Sequence, residues 1–167
     1  DIPNNQMKIW RGRGLPYNQG IGYGVLRSLL QDALDNYENS DQWEAYVSDT
    51  FKPFIRRLMQ MPLTDEEELM WEQLPPERIS QLTILAIREW LRREAQQQPL
   101  ILILDDYHWA DDLSRDALQT LLSLTNEMPV LFCVMSRPHP SINLDTADLL
   151  SGRYHHLEVP ALSLADS

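Results

Sequence analysis

The stretch LILILDDYHWADD, residues 100–112, decides the fold of this chain. Five apolar residues run directly into Asp105 and Asp106, and a His-Trp pair and two further acids follow. A continuous apolar run of this kind predicts a strand that is buried on both faces of a parallel sheet. Ligands bind at the carboxyl ends of the strands in open α/β sheets. The two aspartates are therefore predicted to lie at a binding edge.

Strands and helices alternate along the rest of the chain. Apolar segments predict further strands at residues 7–10, 130–135 and 154–159. Helical spacing of apolar residues predicts one helix over 25–34 and a long one after Pro75-Pro76. This alternation predicts an α/β domain with a mostly parallel sheet.

The segment between these two helices is predicted to be helical but irregular. Pro53 is expected to break or kink the helical pattern of residues 41–61, because proline lacks a backbone donor. Thr64-Asp-Glu-Glu67 is a capping-box signature, which predicts the start of a short helix.

The composition excludes some classes of function. The chain has 167 residues and a formal net charge of −11, from 25 acidic and 14 basic residues. Nucleic-acid binding by these residues is not expected, because it needs a basic face. No membrane span is expected either, since no apolar stretch approaches the roughly 20 residues that cross a bilayer. The single cysteine, Cys133, indicates a reducing, cytoplasmic compartment and is expected in the core.

Asp105 and Asp106 cannot do the same job, because neighbouring strand residues face opposite sides of a sheet. One carboxylate can hold a hydrated Mg²⁺, and the other can orient a water for attack on a phosphate. This is the Walker B arrangement of P-loop proteins. The alternative is that the acids only cap the following helix. Capping is favoured for Asp111 and Asp112, and function for the first pair, whose burial without a cation is costly.

Arg137 closes the next buried strand, so its position is predicted to lie near the Asp105 edge. A guanidinium there can contact a terminal phosphate. The alternative is a solvated arginine at a strand end, and the spacing favours neither. His108 is expected to hydrogen-bond to the adjacent loop rather than to bind a metal, and Trp109 is expected to anchor its own loop on the core.

The glycine-rich loop over residues 12–24 lacks a nucleotide-binding fingerprint. Gly20 lies nine positions beyond Arg11, whereas the glycines of a dinucleotide site directly follow a strand. Neither Lys8 nor Lys52 follows a glycine, so no G-x-x-x-x-G-K-[ST] phosphate loop is present. These glycines are expected to shape a surface loop.

The stretch LILILDDYHWADDLSRDAL resembles the Walker B region of AAA-type ATPase domains of the signal-transduction (STAND-like) kind. MKIWRGRGLPYNQGIGYGVLRSLL is similar to the second strand, loop and helix of that family, and PVLFCVMSRP is similar to its fourth strand. YHHLEVPALSLADS is similar to the fifth strand and the start of the next helix. The resemblance covers nearly the whole chain and is strongest over residues 100–137.

The resemblance implies a Mg-ATP site in a P-loop NTPase-type, three-layer fold. Asp105 would hold Mg²⁺ through water, Asp106 would assist the attacking water, and Arg137 would sense the terminal phosphate. The family's strand order is 5-1-4-3-2. Residues 1–167 would then be a partial ATPase domain that runs from strand two to the start of the helix after strand five. The first strand and its phosphate loop would be missing.

The implied function is an ATP-binding and ATP-hydrolysing switch that couples nucleotide state to an attached output domain. In such proteins this is an adenylate or guanylate cyclase or a protein kinase domain, joined to a helical-repeat region. Partners would be ATP and these domains of the same parent chain, and homo-oligomers are left open. The isolated chain is expected to be poorly stable and inactive, because its sheet would have unpaired edges.

Two other functions are kept as alternatives. The first is a nucleotide-regulated scaffold that scarcely hydrolyses ATP, since Asp106 is shorter than the glutamate found in many relatives. The second is an α/β protein-interaction module in which the acids act only as helix caps.

Overall fold

The computed structural model describes residues 7–16, 22–39, 41–137 and 153–160. In chain order its helices and strands are β1 (Lys8–Arg13), α1 (Gly24–Asp35), α2 (Lys52–Leu58), α3 (Asp65–Gln73), α4 (Pro76–Gln97), β2 (Leu100–Asp105), α5 (Asp112–Leu122) and β3 (Val130–Val134). Short 3-10 helices cover Gln42–Tyr46, Tyr107–Trp109 and Ser123–Asn126. The predicted α/β class is confirmed. The strands predicted at residues 7–10, 100–104 and 130–135 correspond to β1, β2 and β3.

The sheet is parallel and has the order β1-β2-β3. Both crossovers therefore step in the same direction along the sheet. Because such crossovers are right-handed, their helices lie on the same face. On that face Trp10 of β1 contacts Trp90 of α4, with ring centroids 6.0 Å apart, and α5 contacts both α1 and α4.

Strand β2 alternates between buried and half-buried residues. Leu100, Leu102 and Leu104 face the helices and are buried, whereas Ile101 and Ile103 are half-buried. The prediction of burial on both faces is wrong for the part of the chain that the structure describes. The reason is the handedness of the two crossovers, which places the helices of both on the leucine face.

Strand β3 shows the same one-sided burial. Val130 is buried, whereas Leu131 and Met135, the residue directly after the strand, are exposed. Cys133 lies opposite Ile103 in the register and is half-buried. The expectation of a core thiol is therefore wrong, because this residue faces away from the helices.

Side chains of α1 cover the outer edge of β1. The backbone N–H of Arg11 donates to Oδ2 of Asp32 at 2.9 Å, and the N–H of Arg13 donates to Oγ of Ser28 at 3.2 Å. An edge strand with free donors is open to pairing with another chain. Here the helix itself supplies the acceptors, so this edge is protected.

Pro53 begins a helix and does not break one. It lies in the first turn of α2, where the missing N–H has no intrahelical partner to lose. The capping box at Thr64 is confirmed. The Thr64 hydroxyl accepts from Glu67 N–H at 3.3 Å, and the Glu67 carboxylate accepts from Thr64 N–H at 2.8 Å.

Arg56 joins α2 and α3 to the 3-10 helix Gln42–Tyr46 that precedes them. Arg56 of α2 donates to Glu44 at 2.9 Å and to Glu67 of α3 at 2.6 Å. The hydrogen bond from Arg56 lowers the pKa of Glu44 below its ordinary value, so that carboxylate stays charged. Helix α2 and the 3-10 helix Gln42–Tyr46 both pack on α4 and so extend the helical layer.

A buried acid lies at the amino end of the sheet. Glu94 of α4 is 0% exposed, and its two oxygens accept from Lys8 Nζ at 2.5 Å and from the Tyr37 hydroxyl. The Lys8 ammonium also lies over the rings of Tyr37 and Tyr46, 5.7 and 5.5 Å from their centroids. We call Glu94, Lys8 and Tyr37 the Glu94 cluster. It ties β1 and α4 to the segment after α1.

Residues 154–159 form no strand, contrary to the prediction. Within the described segment 153–160, Leu157 and Val159 are 86% and 90% exposed. In the implied order, strand five pairs with strand one and with none of strands two to four. The three strands of the described sheet therefore offer this segment no partner. The start of the helix expected after strand five and the loop glycine Gly20 lie outside the described residues.

Candidate functional site

Asp105 is the last residue of β2 and lies at the carboxyl edge of the sheet, in register with Arg13 of β1. Its backbone carbonyl accepts from the N–H of Gly14 at 2.9 Å. Its half-buried side chain accepts from the N–H of Asp106 through Oδ1, at 2.8 Å. Within the described ranges no residue donates to Oδ2. The described residues thus leave one carboxylate oxygen to a water or a cation.

Asp106 has a different environment from its neighbour. Its backbone is left-handed, with φ 50° and ψ 37°, a conformation that Asp adopts more readily than most residues. Its Oδ2 accepts from Nε of Arg13 at 3.0 Å and lies 3.0 Å from Nη2 of the same guanidinium. The two adjacent carboxylates therefore have separate partners.

The loops after β1 and β2 touch through a glycine. A Cβ on Gly14 would lie 2.4 Å from the backbone oxygen of Asp106 and 3.2 Å from Cβ of Trp109. No side chain fits at position 14. This close approach brings Arg13 to the acid-bearing loop, which we define as residues 106–111.

Tyr107, and not Trp109, anchors the acid-bearing loop. Tyr107 is buried, and its N–H donates to the carbonyl of Met135 at 2.9 Å, whereas Trp109 is 36% exposed. Burial raises the pKa of the Tyr107 phenol above its ordinary value. Successive residues of a 3-10 helix point in three directions, so Tyr107 and His108 face inward and Trp109 faces outward. The expectation for Trp109 is wrong.

The end of β3 lies beside the acid-bearing loop. The N–H of Met135 donates to the carbonyl of Leu104 at 2.8 Å, and Nδ1 of buried His108 lies 3.5 Å from the backbone nitrogen of Arg137. His108 thus hydrogen-bonds to the adjacent segment after β3, as expected. The structure brings the Arg137 backbone to the same edge as Asp105. Its side chain is exposed, and its guanidinium makes no ion pair with any described residue.

Asp111 caps the helix that follows it, as the sequence predicts. It is the N-cap of α5 and is buried. Its carboxylate also accepts from the N–H groups of Tyr23 and Gly24 at the start of α1, both at 2.8 Å. Asp112 is not a cap. It is the exposed first residue of α5 and pairs with Arg115 at 2.8 Å.

The carboxylates at this edge suit Mg²⁺ better than a metal ion whose ligands all come from protein side chains. The described residues contain no cluster of three or more His, Cys, Asp or Glu that could hold a metal. Mg²⁺ keeps several waters and binds through one or two carboxylates together with substrate phosphates. The single available oxygen of Asp105 fits that mode of binding.

A family model described as "AAA ATPase domain" matches residues 7–134. The chain belongs to this family. The match runs from the residue before β1 to the last residue of β3, so it includes Asp105, Asp106 and Asp111, and it ends before Arg137. No curated protein and no solved structure matches the chain.

The family is one of nucleotide-binding ATPase domains, and the fold agrees with a P-loop NTPase-like domain. In this AAA ATPase domain the strands present are parallel and lie in the order expected for strands two, three and four. No helix of the described segments is long and apolar enough to cross a membrane.

The sequence reasoning missed Arg13 and Gly14 as parts of the site. The alternation Arg-Gly-Arg-Gly over residues 11–14 was the available signal. Glycines at the end of a strand permit close approach of another backbone. Arg13, which lies between Gly12 and Gly14, therefore contacts the acid-bearing loop that approaches this end of β1.

Proposed function

We propose that this AAA ATPase domain binds ATP with Mg²⁺ at the carboxyl edge of the sheet and hydrolyses it. The observation that carries the proposal is the pair of adjacent acids at the end of β2, with one oxygen of Asp105 to which no described residue donates and a separately held carboxylate on Asp106. Family membership supports nucleotide binding by the domain.

The residues have distinct proposed roles. Asp105 would hold the water shell of Mg²⁺, and that ion supplies charge neutralisation of the phosphates when bound. Asp106 would orient the attacking water, once it is released from Arg13. Arg137 would reach the terminal phosphate from the end of β3. The phosphate loop, which these 167 residues do not contain, would come from elsewhere in the parent chain.

The biological role is a switch in signal transduction. The nucleotide state would be coupled to an output domain and a helical-repeat region of the same parent chain, in the cytoplasm, with self-association as a further property. Residues 1–167 would be a partial domain that has no ATPase activity in isolation.

A second function follows from the contact between Arg13 and Asp106. If this ion pair persists when nucleotide is bound, Asp106 does not reach a water, and the domain is a nucleotide-regulated scaffold. Binding would then occur with almost no turnover.

The test uses the parent chain that carries these residues. Wild type, Asp105→Asn and Asp106→Asn are compared by calorimetric titration with ATP at several Mg²⁺ concentrations and by phosphate release. We expect Asp105→Asn to weaken Mg²⁺-dependent binding, and Asp106→Asn to bind normally and lose roughly 100-fold or more in turnover.

The matched control is Asp112→Asn, because Asp112 is exposed and, among the described residues, pairs only with Arg115 on its own helix. Binding without turnover in wild type would support the scaffold. Absence of ATP binding in wild type would leave the interaction module as the better description.

A further inference from the structure

One buried carboxylate holds the starts of two helices. Oδ1 of Asp111 accepts from the N–H of Tyr23 at 2.8 Å and from the N–H of Ser114 at 3.0 Å. Oδ2 accepts from the N–H of Gly24 at 2.8 Å and from the hydroxyl of Ser114 at 2.6 Å. Capping of α5 uses only the Ser114 bonds, so the bonds to Tyr23 and Gly24 need another explanation.

Helix α1 has no cap of its own. Tyr23 is at its N-cap position, with φ 63° and ψ 28°, and makes no side-chain cap bond. Its hydroxyl instead bonds the Ser80 hydroxyl at 2.6 Å, and the first turn of α1 contains no acid. A left-handed residue followed by a helical one turns consecutive N–H groups into a concave site for an anion. The carboxylate of Asp111, from 88 residues along the chain, occupies that site.

The acid-bearing loop is therefore held along its length. Its first residue, Asp106, bonds Arg13 at the end of β1, Tyr107 bonds Met135 after β3, and Asp111 bonds the start of α1. A side chain on a loop keeps its direction only when both ends of that loop are fixed. Of these contacts, the one at Asp111 is buried and charge-assisted, which makes it the strongest type of hydrogen bond available.

We propose that Asp111 is a positioning residue for the nucleotide edge, which fixes the direction of the Asp105–Asp106 carboxylates by tying the acid-bearing loop to the start of α1. This inference rests on the proposed ATPase function. Asp111 acts through the backbone of two loops and touches no reacting atom.

Asp111→Asn separates this role from capping. Asn is as good an N-cap as Asp, so α5 keeps its cap. With the amide oxygen in the place of Oδ1, the bonds from the N–H groups of Tyr23 and Ser114 remain, whereas the amide nitrogen in the place of Oδ2 cannot accept from the N–H of Gly24. The negative charge at the start of α1 is also lost. Asp112→Asn is the control, since it removes a neighbouring exposed carboxylate with no bond to α1.

Two measurements on the parent chain test the proposal. Amide hydrogen exchange reports on Tyr23, Gly24 and Ser114, and steady-state kinetics give kcat and KM for ATP. We expect Asp111→Asn to speed exchange at Gly24 with little change at Ser114, and to lower kcat roughly 10- to 100-fold while KM changes little. Asp111→Glu is expected to restore part of kcat, because it keeps the charge.

Normal kcat in Asp111→Asn, or exchange unchanged at Gly24, would overturn the proposal. Equal losses of kcat in Asp112→Asn would overturn it as well. A wild-type chain without ATPase activity would contradict the proposed function instead. In that case the exchange data would still decide whether Asp111 ties the two loops together.

Discussion

Arg13 directs two nitrogen atoms of its guanidinium at one oxygen of Asp106, Nε and Nη2 each lying 3.0 Å from Oδ2. The ion pair joins the end of β1 to the first residue after β2. Both side chains are partly open to solvent, so its contribution to stability is small. Its effect on the proposed hydrolysis is larger, because the Asp106 carboxylate that is proposed to orient water is already bonded to Arg13.

We predict that Arg13→Gln raises basal ATP hydrolysis by the parent chain several-fold, since it frees Asp106. The free energy of unfolding should change by no more than about 1 kcal/mol. Phosphate release and chemical denaturation measure the two effects. Arg11→Gln is the control, because Arg11 is an exposed arginine of the same strand whose side chain pairs with no described residue. A fall in hydrolysis would show that Arg13 orients Asp106 and does not restrain it.

The close approach of the two loops predicts a large difference between two glycine substitutions. The Cβ of Gly14→Ala would meet the backbone oxygen of Asp106 at 2.4 Å, and backbone cannot move aside cheaply. The Cβ of Gly22→Ala would meet only the flexible Cδ1 of Leu113, at 2.8 Å. We expect the first to lower the free energy of unfolding by about 1–3 kcal/mol and the second by less than about 1 kcal/mol. Urea denaturation of both variants measures this, and equal effects would mean that the loops do not meet tightly at Gly14.

Much of the sheet could be predicted, because strand and helix patterns are local. The apolar run at 100–104 and the alternation around it are sufficient for β2 and for a parallel sheet. The number of covered faces is not a local property. It depends on the direction of each crossover, which a single strand sequence does not reveal, so the half-burial of Ile101 and Ile103 could not be inferred from LILIL.

The site was predictable only in part for a similar reason. Acids at a strand end are visible in sequence, and so is the N-cap of the next helix. The bonds from Arg13 to Asp106 and from Tyr23 and Gly24 to Asp111 join residues 87 to 93 positions apart. Such pairs are set by tertiary packing, and no spacing rule reports them.

The Glu94 cluster predicts a strong dependence of stability on one carboxylate. Glu94→Ala would leave the Lys8 ammonium and the Tyr37 hydroxyl without their acceptor. We expect the free energy of unfolding to fall by about 3 kcal/mol, near the lower end for a broken buried ion pair, because Lys8 can reach water. Thermal and urea unfolding measure the loss.

The control for this substitution is Glu127→Ala. Glu127 pairs with Arg88 at 2.5 Å, but its side chain is 42% exposed, so a loss below about 1 kcal/mol is expected. Comparable losses in the two variants would mean that burial of Glu94 contributes nothing beyond a surface ion pair.

The same cluster predicts a loss of stability in alkaline solution. Burial, and then the hydrogen bond to Glu94, raise the pKa of Tyr37 well above its ordinary value of 10.0. A phenol with a raised pKa in the folded state binds its proton more tightly there than in the unfolded chain. Its contribution to stability is therefore fully present below pH 10.0 and is lost as the pH rises through the raised value.

We expect the melting temperature to fall as the pH rises from about 9 to about 11.5, and we expect Tyr37→Phe to make that fall shallower, since Phe has no proton to lose. Each such group contributes a slope of at most about 1.4 kcal/mol per pH unit. The slopes are compared rather than the absolute values, because Tyr37→Phe also removes the bonds to Glu94 and Trp90. Tyr154→Phe, at an exposed tyrosine outside the sheet, is the control and should leave the slope as in wild type. An identical slope in Tyr37→Phe and wild type would show that Tyr37 does not govern the alkaline limit of the fold.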